Sequence, residues 1–260
     1  MSETALKVWL EPHGPKAGAL LRLRLARPKA NLIDAEMIGA LSDGLASYKG
    51  NKGLLAALVD HEGPHFSFGA SVEEHLPERC EQMLKSLHAL IGAMLDWRKP
   101  ILVAVRGQCL GGGLELAAAA SLMFVSPDAR LGQPEIKLGV FAPAASVLLP
   151  MRIGQARAED LLLSGRSIDA QTALAWGLAT ELAEDPVAAA LLYFEKNLLG
   201  KSAVSLACAV HAARAPFAEL ARARFADVEA LYLETLMVTR DANEGLNAFM
   251  EKRQPKWEHR

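Results

Sequence analysis

Arg106-Gly107-Gln108-Cys109-Leu110-Gly111-Gly112-Gly113-Leu114-Glu115-Leu116 decides how this chain is read. Before it lies Pro100-Ile101-Leu102-Val103-Ala104-Val105, a short β-branched apolar run that predicts a buried strand. After it, Leu114-Glu115-Leu116 and a run of alanines predict a helix. Three consecutive glycines between strand and helix suit a tight turn where backbone approaches a ligand. The N–H groups that open a helix lack intrahelical partners and can stabilise an anion. The turn is not a phosphate loop, because no Gly-Lys-Ser/Thr follows, and it does not meet Gly-x-Gly-x-x-Gly. A second stretch, Leu131-Gly132-Gln133-Pro134-Glu135, supplies another carboxylate after a buried-looking strand at Ser121–Val125. Glu115 and Glu135 on neighbouring strand ends are what acid–base chemistry needs.

Outward from this centre the chain alternates strand and helix patterns. Lys7–Leu10 and Ala19–Leu25 read as two antiparallel strands joined by a turn at Pro15–Gly18. In the second, Leu21, Leu23 and Leu25 alternate with Arg22 and Arg24, which predicts a half-exposed sheet. Asp34 caps a helix to about Tyr48 with Met37, Ile38, Leu41 and Leu45 on one face. Leu54–Val59 is a continuous apolar run, hence a doubly covered parallel strand. The loop Gly63–Ser71 follows it, then a helix from about Glu78 to Trp97. Shorter helices are predicted at 155–163, 170–176 and 186–199, with a last short strand at 178–182. From Lys201 the chain reads as helical, in pieces at 203–213, 217–239 and 242–252. This alternation predicts an α/β fold with ligands at the strands' carboxyl ends.

Composition narrows the function. The 260 residues carry 28 Lys+Arg against 30 Asp+Glu, a net charge of −2, which gives no reason to expect nucleic acid or an anionic membrane as partner. Hydrophobic residues make up 51%, enough for a sizeable core. Cys80, Cys109 and Cys208 form no Cys-x-x-Cys pair, which favours a reducing compartment, and Cys109 reads as a buried structural thiol. Met1–Leu10 contains Glu3 and no apolar signal core, and no run of about 20 apolar residues exists to span a membrane. A cytoplasmic location is the expectation. His65 reads as a loop-structuring residue, Glu73, Glu74 and His75 as a solvated loop, and no spacing suggests a metal.

Several motifs in order carry a family resemblance: Leu25–Asn31, Phe66–Ala70, Gly107–Leu116, Leu131–Glu135, Gly165–Ala170 and Glu244–Arg253. Together they resemble the crotonase (enoyl-CoA hydratase/isomerase) superfamily over nearly the whole length. The resemblance implies a ββα superhelix core, set at residues 1–200, and a C-terminal helical oligomerisation region at 201–260. It implies acyl-CoA chemistry through a thioester enolate, with the Ala70 and Gly112 N–H groups as oxyanion hole and Glu115 and Glu135 as catalytic pair. Which of the two is acid and which is base stays open. No cofactor is expected, since coenzyme A is part of the substrate. Lys29, Ala30, Phe249 and Lys252 are expected to bind CoA, the last two from a neighbouring subunit of a homotrimer or a dimer of trimers.

The chain departs from the family's common pattern at Ser71 and in Val140-Phe141-Ala142-Pro143-Ala144-Ala145-Ser146, which lacks glycines. These loops resemble members that hydrate a cyclic, conjugated dienoyl-CoA rather than a linear enoyl-CoA. Phe66, Phe68, Val140, Phe141, Ala144 and Ala145 are the expected walls of the slot. Two readings compete: a sibling enoyl-CoA hydratase, isomerase or ring hydrolase on the same scaffold, and a non-catalytic binding protein, against which the retention of both glutamates argues.

Overall fold

In a computed structural model, residues 4–11 and 19–260 are described; the expected turn at Pro15–Gly18 lies outside them. The chain begins with β1 (Leu6–Glu11), β2 (Leu20–Leu25), α1 (Ala35–Tyr48) and β3 (Ala56–His61). There follow α2 (Cys80–Asp96), β4 (Ile101–Val105), β5 (Gln108–Leu110), α3 (Gly112–Ala118), β6 (Leu122–Val125) and β7 (Arg130–Gly132). Then come α4 (Pro143–Ile153), α5 (Gln155–Ser164), β8 (Ser167–Asp169), α6 (Ala170–Ala175), β9 (Glu181–Leu182), α7 (Pro186–Tyr193), α8 (Ala203–Ala230) and α9 (Arg240–Met250).

The main sheet runs β1-β2-β3-β4-β6-β9, with β1 antiparallel to β2 and every other pair parallel. β4 is buried along its whole length, as its continuous apolar run requires. α1 starts where Asp34 accepts from the Met37 N–H at 3.0 Å, and Met37, Ile38, Leu41 and Leu45 pack into the core. A second, smaller sheet of β5-β7-β8 stands apart from the first. Its three-residue strands are too short to give a period, and the sequence reading passed over them.

Two expectations are corrected. The polar side of β2 is not half-exposed: Arg22 is buried at the sheet, and fully buried Asp60 on β3 pairs with both Arg22 and Arg24. Arg22 also bonds Glu11 at 2.7 Å, and the Trp9 ring covers both guanidinium groups. Alternation gave the face correctly but not the carboxylate that would cover it. The second correction concerns α8. It runs unbroken through Pro216 and continues into a π-helical turn at Leu231–Leu236. A mid-helix proline costs about 3 kcal/mol, and here Ala218, Ala221, Phe225 and Val228 bury the same helix in the main core. Phe225, Val228 and Tyr232, which lie in the region expected to serve oligomerisation, are therefore covered by the chain's own core.

Removing Asp60 breaks the buried part of this cluster and leaves Arg22 with only the part-exposed Glu11 as its partner, a defect worth about 3–5 kcal/mol. Asp60→Ala should lose that much stability in urea unfolding; a loss below about 1 kcal/mol would contradict the role given to this cluster.

Candidate active site

The small sheet builds the site. β5 and β7 run parallel with Leu110 beside Gly132, and the Gly111 N–H donates to the Gly132 carbonyl at 3.0 Å. After β5 the chain turns at Gly111 and enters α3, which carries Glu115 in its first turn. After β7, Pro134 opens a 3-10 turn, Pro134–Leu138, that carries Glu135. The two carboxylates thus come from adjacent strand ends, but those strands are β5 and β7 and not the larger strands β4 and β6 from which the sequence reading took them.

The glycine run has a separate reason at each place. Gly111 has φ +50°, and a Cβ there would collide with Glu135 Oε1. At Gly113 a Cβ would meet the Ser67 side chain. At Gly112 it would stand 3.2 Å from the Ala70 nitrogen, so the Ala70 and Gly112 amides are neighbours. The Phe66–Ala70 loop reaches this point because it runs along β5: Ser67 N donates to Gln108 O and Leu110 N to Ser67 O, each at 3.0 Å. Neither the Ala70 nor the Gly112 N–H finds an acceptor among the described residues. Two adjacent, unengaged amide donors are what a developing oxyanion requires.

Glu115 is buried, and the Ala145 N–H at the start of α4 donates to its Oε1 at 2.8 Å. Burial pushes its carboxyl up to about 7, against the pull of the Ala145 and Ala144 N–H groups, which favour the anion. Glu135 is pushed up to about 8, first by burial and then by the Glu115 charge. Its residue surface is part-exposed, so it borders solvent more than Glu115 does. Buried Gln133, with its amide turned to satisfy both ends, donates to Glu135 Oε2 at 3.1 Å. The pair is asymmetric: the Glu115 anion is held by backbone N–H donors, while the Glu115 charge adds to burial in pushing Glu135 up.

Between them is a cavity of about 20 Å³, bordered by Ala70, Gly112, Glu115 and Glu135 on one side and by His75, Leu84, Phe141 and Tyr232 on the other. That volume holds about one water. Of the expected slot residues, Phe141 borders it. Phe66 is buried in the main core, edge-on to His61, and Phe68 is exposed beside His65. Val140 packs in a small cluster with Tyr232 and Leu246. Ala144 and Ala145 are fully buried, and Ala145 serves Glu115 through its backbone.

Lys29 and Ala30 lie in a loop tied to the oxyanion loop: Ala30 O accepts from Phe68 N at 3.0 Å, and Asn31 Nδ2 donates to Glu62 O and His65 O at 3.0 Å. Phe249 and Lys252 are exposed at the end of α9. His65 Nδ1 accepts from the Gln108 N–H at 3.2 Å, the loop-structuring role expected of it. Cys109 is buried in β5, and burial holds its thiol protonated.

The sequence reading missed His75, Leu84 and Tyr232. Glu74 does lie against the Ala35 N–H at the start of α1, but His75 is not a solvated residue. It faces the cavity, and its Nδ1 lies 2.8 Å from Ser71 O. A histidine one turn past the oxyanion loop is the signal that was available.

A sequence profile described as enoyl-CoA hydratase/isomerase matches residues 16–260. The chain is 60% identical over 262 residues, covering 100% of both proteins, to a cyclohexa-1,5-dienecarbonyl-CoA hydratase of Thauera aromatica. It is 30% identical to a carnitinyl-CoA dehydratase of Proteus mirabilis, covering 95% of this chain and 98% of the relative. A solved enoyl-CoA hydratase/isomerase structure from Pseudoalteromonas atlantica superposes with a TM-score of 0.85 at 29% identity, covering 97% and 99% of the two chains.

Because both carboxyls are raised, their ionisation is penalised in the folded protein, and stability is lost as pH rises from about 4.5, where the unfolded carboxyls ionise, to about 7 to 8. Glu135→Gln should therefore raise the melting temperature at pH 9 while leaving it nearly unchanged at pH 5. A variant that melts lower than the parent at pH 9 would contradict the burial argument.

Proposed function

Since the chain belongs to the enoyl-CoA hydratase/isomerase family, we propose that it is a hydro-lyase adding water to cyclohexa-1,5-diene-1-carbonyl-CoA, a step of benzoyl-CoA degradation. The product is 6-hydroxycyclohex-1-ene-1-carbonyl-CoA. The observation that carries the reaction class is the convergence of Glu115 and Glu135 on one water-sized cavity beside two unengaged amides. The ring substrate rests on the full-length similarity to a hydratase of that thioester.

The chemistry follows from the site's asymmetry. The thioester oxygen takes the Ala70 and Gly112 N–H groups. Glu115, whose anion is held by the Ala145 N–H, takes a proton from water as the oxygen attacks the carbon β to the thioester. The electrons move into a dienolate whose oxygen is stabilised by the two amides, an effect of about 3 kcal/mol per donor. Glu135, the group that keeps its proton longer, delivers it to the γ carbon, so the remaining double bond stays conjugated with the thioester. No cofactor enters this scheme; CoA arrives with the substrate, with Lys29, Ala30, Phe249 and Lys252 proposed to hold it. With Cys80 and Cys109 free and buried, a reducing cytoplasmic setting is consistent with the chemistry.

Glu115→Gln and Glu135→Gln should each cut turnover at least about 100-fold, with CoA-ester binding largely kept. For the unaltered enzyme, kcat/KM for cyclohexa-1,5-diene-1-carbonyl-CoA should exceed that for crotonyl-CoA, with a mass gain of one water in the product. Equal or better hydration of the linear ester would sink the ring assignment and leave a general enoyl-CoA hydratase. We also propose a homotrimer or a dimer of trimers, for which exposed Val204, Leu231, Val238 and Phe249 offer apolar surface. Light scattering at micromolar concentration should show one of these; a monomer would refute it.

A further inference from the structure

The cavity shared by the two glutamates has a third polar group on its wall. Tyr232 comes from the π-helical turn that ends the long α8 helix. Its ring is buried edge-on to Phe141, 5.4 Å between centroids, and packs with Cys80, Leu84 and Leu246. Its hydroxyl oxygen is buried and has no hydrogen-bond partner among the described residues. A buried hydroxyl left unpaired costs about 1–3 kcal/mol. Phenylalanine would fill the same space without that cost, so packing alone does not account for a tyrosine. The π turn is a second indication, since such widenings of a helix are frequent at functional sites.

The other polar groups on this wall are committed. A carbonyl can only accept, so the bond between His75 Nδ1 and Ser71 O puts the histidine's proton on Nδ1 and leaves Nε2 bare. Glu115 and Glu135 have their own proton traffic. Among the described residues that border the cavity, Tyr232 is the one neutral side chain with an unspent donor. Burial and the glutamates' negative charge hold its phenol protonated, so it remains a donor at every working pH.

We propose that the Tyr232 hydroxyl donates a hydrogen bond to the oxygen of the water that is added, which makes it a catalytic residue of the hydration. This rests on the hydratase reading. A water oxygen has two lone pairs. With one engaged by Tyr232 and one hydrogen on Glu115, the second lone pair is fixed in direction and meets the ring carbon. Tyr232 gives up no proton, and its O–H bond is intact before and after the step. The gain is orientation of a small nucleophile that would otherwise rotate freely, and misplacement of a reacting group can cost about 100-fold in rate.

Tyr232→Phe keeps the ring and removes the donor. The expected result is a fall in kcat of about 10- to 100-fold at nearly constant KM, with a melting temperature equal to or above that of the parent. Tyr232→Leu, which also removes the ring, should lower the melting temperature, showing that the packing and the hydroxyl are separable. A kcat for Tyr232→Phe within about two-fold of the parent would overturn the proposal, as would a rise in KM at unchanged kcat, which would place the hydroxyl on the substrate. Absence of water addition by the parent enzyme would remove the hydratase reading and this proposal together; normal parent activity with a normal Tyr232→Phe variant removes the proposal alone.

Discussion

Two carboxyl groups buried around one water-sized space cannot both ionise without a large electrostatic cost, and the architecture of the site follows from that constraint. One proton stays in the pair near neutral pH. The proposed division of that proton follows from what surrounds each carboxyl. The N–H groups at the start of α4 point at Glu115 and favour its anion, while Glu135 sits in the field of that anion and retains the proton. The proposed acid and base thus differ in their donors, backbone N–H groups for Glu115 and the Gln133 amide for Glu135, without a cationic partner for either group among the described residues.

The small sheet holds this pair at a fixed spacing. Parallel pairing of β5 with β7 sets the two strand ends side by side, and the Gly111 to Gly132 hydrogen bond closes the pairing where the glutamates diverge. The glycine run is then a consequence of crowding: a carboxylate and a serine side chain occupy the place of a missing Cβ at Gly111 and Gly113, and at Gly112 the Ala70 amide stands close to it. Arg152 secures the far end of α3 by donating to the Ala118 carbonyl at 2.9 Å, a cation where the helix dipole favours one. The proposed ring substrate places a further demand on the pair. In the dienolate the β carbon that receives oxygen and the γ carbon that receives hydrogen lie opposite each other across the ring, so base and acid must act from separated positions.

Much of this was legible in the residues alone. β4 announced itself by an unbroken apolar run, α1 by Asp34 and its spaced Met37, Ile38, Leu41 and Leu45, and the two glutamates by the turns they follow. What was not legible depended on contacts distant in sequence. Arg22 looked like an exposed position because its partner Asp60 lies on another strand. β5, β7 and β8 carry three residues each, below any period. Ala144 and Ala145 looked like a pocket wall because composition says nothing about where a backbone N–H points. Tyr232 lies in the region expected to form a subunit interface, and only the fold shows that the chain after α8 packs into its own core and brings Tyr232 to the wall of the cavity between the two glutamates.

The central claim is that Glu115 and Glu135 share a buried site and divide one proton between them near neutrality. Carbon-13 NMR of the glutamate side-chain carboxyls, with each variant to glutamine used for assignment, measures it directly. The account predicts two resonances that titrate far above the ordinary carboxylate range, near pH 7 and 8, with the Glu135 signal shifting to lower pH when Glu115 is neutralised. Two carboxyls titrating independently at about pH 4 to 5 would contradict it.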